Sequence, residues 1–357
     1  MRKLIGSIVV FIMLVSNVTA QIKPTKTYVE SNPEPNMTEE YVALKLYKTI
    51  DPELTEDIFL PEPFSITVDK EGNLYIFDRG IKTIVKLDKD LKFVRAFGGE
   101  GQGPGEFLAG KTVVYINIGM DNKLYCNDTA ARKIIVFDVN GRYLGDYATP
   151  GILFGHPTVD KEGRIYFFTG DDKQIIANNQ NGERIFSFAV NPKEVYSFLF
   201  QKQNLPRGEL DYFFLTSFVD PDNLLVYFSN SSTMLRISKQ KIEAKCRILP
   251  KDILSGYKKY INKMLEEEEK NMMALFIRIV PDGDVRGNYY LPFVSDFDNN
   301  RGLLYQMNEH GALLKTYCID YKKTPKMVVI QAKKNGVFYG RITNEGRVGI
   351  FRTNGGM

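Results

Sequence analysis

Seven side chains in this sequence have the charge and hydrogen-bonding chemistry of a site for a polar ligand. Arginines suit an anionic group, because a guanidinium presents several N–H donors in one plane. Carboxylate and amide side chains would bind other polar groups, and a histidine can titrate near neutral pH. The set is Arg79, Asp128, Arg132, His156, Asp171, Asn230 and Arg341. It predicts binding, and no catalytic residue is assigned; the alternative is that Asp128, like Asp78, caps its loop and that the other residues are solvated.

Familiar catalytic arrangements are poorly represented. The sequence has two histidines, His156 and His310, whereas a catalytic zinc usually takes three protein ligands. It has no GxSxG turn, no cysteine next to a histidine, and no tryptophan for the aspartate boxes of sialidases. Carboxylates such as Asp128 and Asp171 could form an acid and base pair. The alternative function is a metal-assisted hydrolase, lactonase or lyase with its site at the central channel.

Aspartates also recur in turns of the DKEG type, at Asp69, Asp160 and Asp220. They resemble calcium ligands, but aspartate in a turn normally accepts hydrogen bonds from its own backbone. The three also lie in separate segments of the chain. We therefore assign no metal ligand and predict no cofactor, with a divalent cation such as calcium kept as the alternative.

These residues belong to a repeated pattern in which a turn precedes an aromatic strand, as in VDKEGNLYIFD and VDKEGRIYFFT. The six copies align on Tyr75, Tyr125, Tyr166, Tyr227, Tyr290 and Tyr339, at intervals of 41 to 63 residues. The first copy predicts four short strands, PFSITVD, NLYIFD, TIVKLD and FVRAFG, separated by turn residues. Six four-stranded copies predict an all-β, six-bladed β-propeller over residues 41–357.

The last copy predicts only three strands before the sequence ends. The segment YVALKLYKTID (41–51) resembles the fourth strands of other copies, such as LLKTYCID. An N-terminal strand at this position would complete the sixth blade and leave no open seam between the first and last blades. We therefore predict a propeller closed by its N-terminal strand.

Blades one and two also carry a family likeness. The segment FGGEGQGPGEF (97–107) resembles the end of an NHL repeat, and YIFDRGIKTIVKLD resembles its core. The chain is thus similar to NHL-like or TolB-like six-bladed propellers exported by bacteria. The resemblance implies the fold and no single activity, since such propellers include lyases, lactonases and binding scaffolds.

The parity of antiparallel strands places the predicted site. If each inner strand starts at the top face, the loops between second and third strands also lie there, and the DKEG-type turns lie underneath. Connections between blades also reach the top. One of them, residues 250–276, has apolar residues at a nearly helical period and predicts a helix between blades four and five. The helix could cover the channel mouth or pack on the outer rim.

The first 20 residues predict a cleavable secretory signal, because Arg2 and Lys3 precede an apolar run that is short for a transmembrane helix. Residues 21–40 form an N-terminal extension. The formal net charge of +4 indicates no nucleic-acid partner. We expect a periplasmic or secreted protein without a transmembrane segment after cleavage. Its predicted function is non-catalytic binding of a polar small molecule or a protein at the top face.

Overall fold

The computed structural model describes residues 41–108, 113–149, 155–169, 174–189, 214–220, 223–228, 233–238, 241–247, 279–296, 301–320, 328–342 and 346–353. The predicted signal, the extension 21–40 and the insertion 250–276 lie outside these ranges. So do the candidate ligand residues Asp171 and Asn230. Within the described ranges, the chain forms strands, turns and bends and has no helix. Accordingly, no helix in these ranges is long and apolar enough to cross a bilayer.

The strands follow one another in groups of four. Blade one contains β2 (Pro63–Val68), β3 (Leu74–Asp78), β4 (Thr83–Leu87) and β5 (Phe93–Gly98), and blade two contains β6 (Val114–Ile118), β7 (Lys123–Asp128), β8 (Lys133–Asp138) and β9 (Tyr143–Ala148). Blade three contains β10 (Thr158–Val159), β11 (Ile165–Thr169), β12 (Gln174–Asn178) and β13 (Arg184–Ala189), and blade four contains β14 (Phe214–Asp220), β15 (Asn223–Phe228), β16 (Thr233–Ser238) and β17 (Lys241–Arg247). Blade five contains β18 (Val280–Pro281), β19 (Tyr289–Asp296), β20 (Arg301–Met307) and β21 (Leu313–Asp320). Blade six contains β22 (Val328–Lys334), β23 (Val337–Ile342) and β24 (Arg347–Thr353), and β1 (Val42–Thr49) lies beside β24.

Burial differs between inner and outer strands of a blade. Every residue of β3, the second strand of its blade, is buried, whereas the outermost strand β9 alternates between partly buried and exposed positions. This difference arises because strands inside a blade are covered by the neighbouring blades on both faces, while the outermost strand reaches solvent. The apolar core therefore lies between blades. Phe77 of blade one, for example, packs with Phe107 and with Ile116 and Phe137 of blade two.

The strand β1 connects the last two blades. It pairs antiparallel with β24, with Leu44 opposite Thr353, and pairs parallel with β21 through Val42 and Ala43. The sheets of blades five and six are therefore continuous in the order β18-β19-β20-β21-β1-β24-β23-β22. The inner strands of blades one and six, β2 and β22, also contact each other.

Candidate functional site

The inner strands are sheet edges, so their outward N–H groups need partners from outside the sheet. Between blades six and one, the Gln331 amide supplies two hydrogen bonds. Its oxygen accepts from the Ile66 N–H at 2.7 Å, and its nitrogen donates to the Phe64 carbonyl at 3.1 Å. Gln331 thus joins neighbouring inner strands.

The boundaries between blades one and two and between blades two and three also contain hydrogen bonds from a side chain to the backbone of the neighbouring blade. Ser65 Oγ accepts from the Ile116 N–H at 3.0 Å, and Asn117 Nδ2 donates to the Pro157 carbonyl at 2.9 Å. These bonds connect blade one to blade two and blade two to blade three. The polar residues of these inner strands are therefore engaged in blade-to-blade hydrogen bonds.

Replacing Gln331 by methionine tests this role. The exchange keeps the side chain's length but removes both hydrogen bonds, so we expect the free energy of unfolding to fall by about 2 kcal/mol in urea denaturation. The matched variant Gln180→Met, at an exposed turn position, is expected to change it by less than about 0.5 kcal/mol. Equal stability of the two variants would contradict the role of Gln331.

Several candidate residues lie around the Phe64 ring, at the end of the channel where the inner strands begin. The Phe64 ring lies 4.9 Å from the Arg341 guanidinium carbon and 5.6 Å from that of Arg79. The Phe64 ring also contacts the Tyr115 ring edge-on, with 5.6 Å between the two ring centroids. The Tyr115 ring in turn lies 5.2 Å from the His156 ring. We call these five residues the top cluster.

Strand topology explains why these residues meet. Phe64 and Tyr115 are the second residues of the inner strands β2 and β6, and His156 stands two residues before β10. Arg79 directly follows the second strand β3, and Arg341 is the penultimate residue of the second strand β23. Because second strands run opposite to first strands, their ends share one face with the starts of the inner strands.

The two arginines of the top cluster differ in their charge partners. Arg79 forms an ion pair with Glu62, and this hydrogen bond lowers the pKa of the Glu62 carboxyl below its ordinary value. Among the described residues, Arg341 Nε is buried and has no hydrogen-bond partner. Burial lowers the pKa of the Arg341 guanidinium, and repulsion from Arg79 lowers it further. Arg341 is thus a partly buried cation that forms no ion pair in the described part of the chain, although attraction from the Glu62 carboxylate offsets part of the lowering.

Tyr115 and His156 add polar atoms to the aromatic side of the top cluster. Tyr115 is 8% exposed, and burial raises the pKa of its hydroxyl to about 12, so the group is neutral at physiological pH. His156 Nδ1 lies 2.9 Å from the Ile116 carbonyl oxygen. Because a carbonyl can only accept, Nδ1 carries the proton in this contact.

Two other candidates have a different setting. Asp128 is fully buried, and its carboxylate accepts hydrogen bonds from the backbone N–H groups of Leu108 and Ala131 at 2.8 and 3.0 Å. Asp78 does the same in blade one, where it accepts from Glu62 N–H and Gly80 N–H. Arg132 is exposed in the loop that Asp128 caps. The structure thus brings together Arg79, His156 and Arg341, and it places Asp128 inside the loop.

Sequence reasoning missed Phe64, Tyr115 and Glu62. The two aromatics stand in apolar inner strands, where a sequence pattern indicates only core. The available signal was their position next to the strand start, since a residue there borders the channel mouth.

Two of the three turn aspartates, Asp69 and Asp160, accept hydrogen bonds within their own turns, and the side chain of Asp220 lies outside the described part of the structure. Asp69 accepts from the Asn73 N–H at 2.8 Å, and Asp160 accepts from the Arg164 N–H at 2.8 Å. Their other carboxylate oxygens accept from the hydroxyls of Tyr75 and Tyr166, each at 3.0 Å. Across the described ranges, no three His, Cys, Asp or Glu side chains are grouped so that they could hold a metal ion.

Comparisons with known proteins agree with this architecture. The DUF5128 family model, described as a 6-bladed beta-propeller, matches residues 50–219. No curated protein matches the chain. Among solved structures, a DUF4221 family member from Bacteroides vulgatus is 11% identical with a TM-score of 0.56, and the match covers 88% of this chain and 98% of that one.

Two further solved structures are similar at comparable identity. A protein described as exported, from Bacteroides fragilis, is 12% identical with a TM-score of 0.53, covering 91% of this chain and 96% of its own. A catalytically inactive variant of virginiamycin B lyase from Staphylococcus aureus is 14% identical with a TM-score of 0.49, covering 87% and 99%. At these identities, the two structures with TM-scores above 0.5 show a shared fold alone. With its strands in groups of four and the matching family model, the chain is a six-bladed β-propeller protein.

Proposed function

We propose that this protein is an exported binding module that holds an anionic group of a small molecule or protein partner at its top face, with Arg341 as the anchor. The single observation that supports this is the partly buried Arg341 guanidinium, which lies near Arg79 and forms no ion pair within the described residues. A partly desolvated cation without an ion pair is unfavourable, and an anion arriving at the guanidinium would offset that cost.

The neighbours of Arg341 favour the same ligand chemistry. Arg79 adds positive potential, although Glu62 already pairs with it. Phe64 and Tyr115 form an aromatic wall next to the two guanidinium groups. A carboxylate attached to a flat apolar group would match both features, because guanidinium binds carboxylate in a bidentate manner and aromatic faces pack against flat rings.

Two finer features belong to the same proposal. Antiparallel pairing of β1 with β24 supports a ring closed by the N-terminal strand, because β1 then supplies the fourth strand of blade six. Export to the periplasm or beyond rests on the signal-like residues 1–20 and on the similar protein described as exported. The NHL-like and TolB-like character of blades one and two remains a prediction from sequence.

A thermal shift assay tests the anion site. Sodium benzoate, compared with sodium chloride at equal ionic strength, is expected to raise the Tm of the wild type by about 2 to 4 °C at roughly tenfold excess over its Kd. Arg341→Gln is expected to abolish this shift. Its Tm without ligand is expected to equal or exceed that of the wild type, because the exchange removes a partly buried charge that has no ion pair.

The matched variant is Arg132→Gln, which removes an exposed arginine from a loop at the same face. It should keep the full benzoate shift. An equal shift in Arg341→Gln and the wild type would contradict the anchor role. Absence of any shift with benzoate, phosphate and sulfate in the wild type would contradict anion binding.

A further inference from the structure

The opposite end of the channel contains a cavity that the top cluster does not use. It has a volume of about 530 Å³ and opens among the inner strands and turns of blades one, two, three, five and six. This volume lies within the range of small-molecule sites, roughly 300 to 1,000 Å³. We call it the bottom cavity.

Four apolar side chains of the cavity lining reach solvent. Val68, Ile118 and Pro281 are partly exposed and Met120 is 37% exposed, and we call these four residues the collar. Two polar side chains of the lining are already used between blades, since Asn117 bonds to the Pro157 carbonyl and Gln331 to blade one. The collar therefore offers its free surface to an apolar group.

The three aspartates of the lining, Asp69, Asp282 and Asp284, are held by the protein itself, and Asp69 accepts from the Asn73 N–H and the Tyr75 hydroxyl. Lys333 Nζ lies 2.5 Å from Asp282 Oδ1 and 2.6 Å from Asp284 Oδ2. Asp284 also accepts from the Gly336 N–H at 2.8 Å, and Lys334 Nζ donates to the Gly283 carbonyl. These contacts leave the three carboxylates little capacity to attract a cation from solution.

Lys70 and Arg286 are two cations of the cavity lining, and they differ in their partners. The Lys70 ammonium lies 3.6 Å from the Glu71 carboxylate, so it already has an anion beside it. Arg286 lines the same cavity, is exposed, and makes no hydrogen bond or ion pair within the described part of the chain. An arginine beside an apolar collar suits a molecule that has an apolar body and one anionic group.

We propose that the bottom cavity is a second ligand site, for a small amphipathic anion whose apolar body fills the collar and whose charge faces Arg286. The site is separate from the top cluster and does not depend on the function proposed for Arg341. The fluorescent probe 8-anilinonaphthalene-1-sulfonate has this chemistry, with apolar rings and one sulfonate. Octanoate is a non-fluorescent competitor of the same class.

The test is a fluorescence titration with this probe, followed by competition. We expect saturable binding of the folded protein, displacement by octanoate, and weaker displacement by octan-1-ol, which lacks the charge. Arg286→Gln is expected to raise the Kd about fivefold, which is the size of effect expected for a solvent-exposed ion pair between Arg286 and the probe's sulfonate. Met120→Asp is expected to raise it further, since it places a negative charge in the collar.

Two matched variants separate this site from others. Lys161→Gln neutralises an exposed cation at the turn position of blade three that corresponds to Lys70, outside the cavity lining, and should leave the Kd unchanged. Arg341→Gln should also leave it unchanged. Each variant must keep the Tm of the wild type or better. The proposal is overturned if the probe does not bind saturably, if Arg286→Gln and Met120→Asp both bind normally, or if Arg341→Gln abolishes binding.

Discussion

Replacing Leu44 by alanine is expected to lower the free energy of unfolding by about 3 kcal/mol. Leu44 stands on β1, is 2% exposed, and packs in a cluster with Tyr317 of blade five and Phe351 of blade six. The truncation leaves a cavity where three chain segments meet, so it weakens the attachment of β1 to both blades. Urea denaturation monitored by circular dichroism measures the loss. Circular dichroism is chosen because the chain has no tryptophan to serve as a fluorescence probe.

Lys45→Ala is the matched variant, because Lys45 is the next residue on the same strand and is exposed. Its free energy of unfolding should differ from that of the wild type by less than about 0.5 kcal/mol. If Leu44→Ala were as stable as Lys45→Ala, β1 would not be an integral strand of the folded ring, and closure by the N-terminal strand would be wrong.

Replacing Lys333 by methionine is expected to cost about 3 to 5 kcal/mol of unfolding free energy. The Lys333 ammonium and the Asp282 carboxylate are nearly solvent-free, with side-chain exposures of 8% and 0%. Methionine keeps most of the packing but leaves Asp282 without its countercharge. Because Lys333 belongs to blade six and Asp282 directly follows β18 of blade five, the loss would weaken the contact between these blades.

The neighbouring Lys334→Met serves as the control. Its ammonium donates to a carbonyl and lies 3.9 Å from Asp284 at a more exposed position, so we expect a loss below about 1 kcal/mol. Equal losses in the two variants would contradict a buried ion-pair role for Lys333. Urea denaturation at neutral pH distinguishes them.

The same charge group predicts a pH dependence. Burial would raise the pKa of Asp284, but hydrogen bonds from Lys333 and the Gly336 N–H outweigh it, and the pKa lies below its ordinary 3.8. Burial would lower the pKa of Lys333, but hydrogen bonds to Asp282 and Asp284 outweigh it, and the pKa lies above 10.5. The stabilising contribution is therefore full between about pH 3.8 and 10.5.

Outside that window the contribution is lost in both directions. Acid removes it as the pH falls through the lowered pKa of Asp284, and alkali removes it as the pH rises through the raised pKa of Lys333. Unfolding free energies of the wild type and Lys333→Met, measured from neutral pH to above the raised pKa of Lys333, should converge at the alkaline end. A constant difference across this range would contradict the assignment.

Local sequence patterns predicted the architecture because each blade of a propeller repeats the same turn and strand contacts between residues close in the sequence. The aligned tyrosines Tyr75, Tyr125, Tyr166 and Tyr290 each donate a hydrogen bond to an aspartate of the preceding turn. Each pair lies within eight residues, so the tyrosine and the aspartate recur together in the sequence. The turn role of Asp69 and Asp160 could be argued from the same local spacing.

The top cluster could be predicted only in part. Arg79, His156 and Arg341 were identified as residues at one face, but their common neighbour Phe64 was not. The contact between Phe64 and Arg341 joins the first and last blades. Such a contact depends on how the ring closes in space, and no local periodicity records it. The sequence left two roles open for Asp128, because one aspartate can cap a loop or face a ligand at the same sequence position, and in the structure it caps the loop.

The most direct measurement is a crystal structure of the protein grown with 4-bromobenzoate, with the ligand located by the anomalous signal of its bromine. We expect the bromine next to the aromatic wall of Phe64 and Tyr115, and the carboxylate within hydrogen-bond distance of the Arg341 guanidinium. Bromine density only elsewhere, or no ligand at the top cluster at a concentration that saturates the thermal shift, would contradict Arg341 as the anchor for anions.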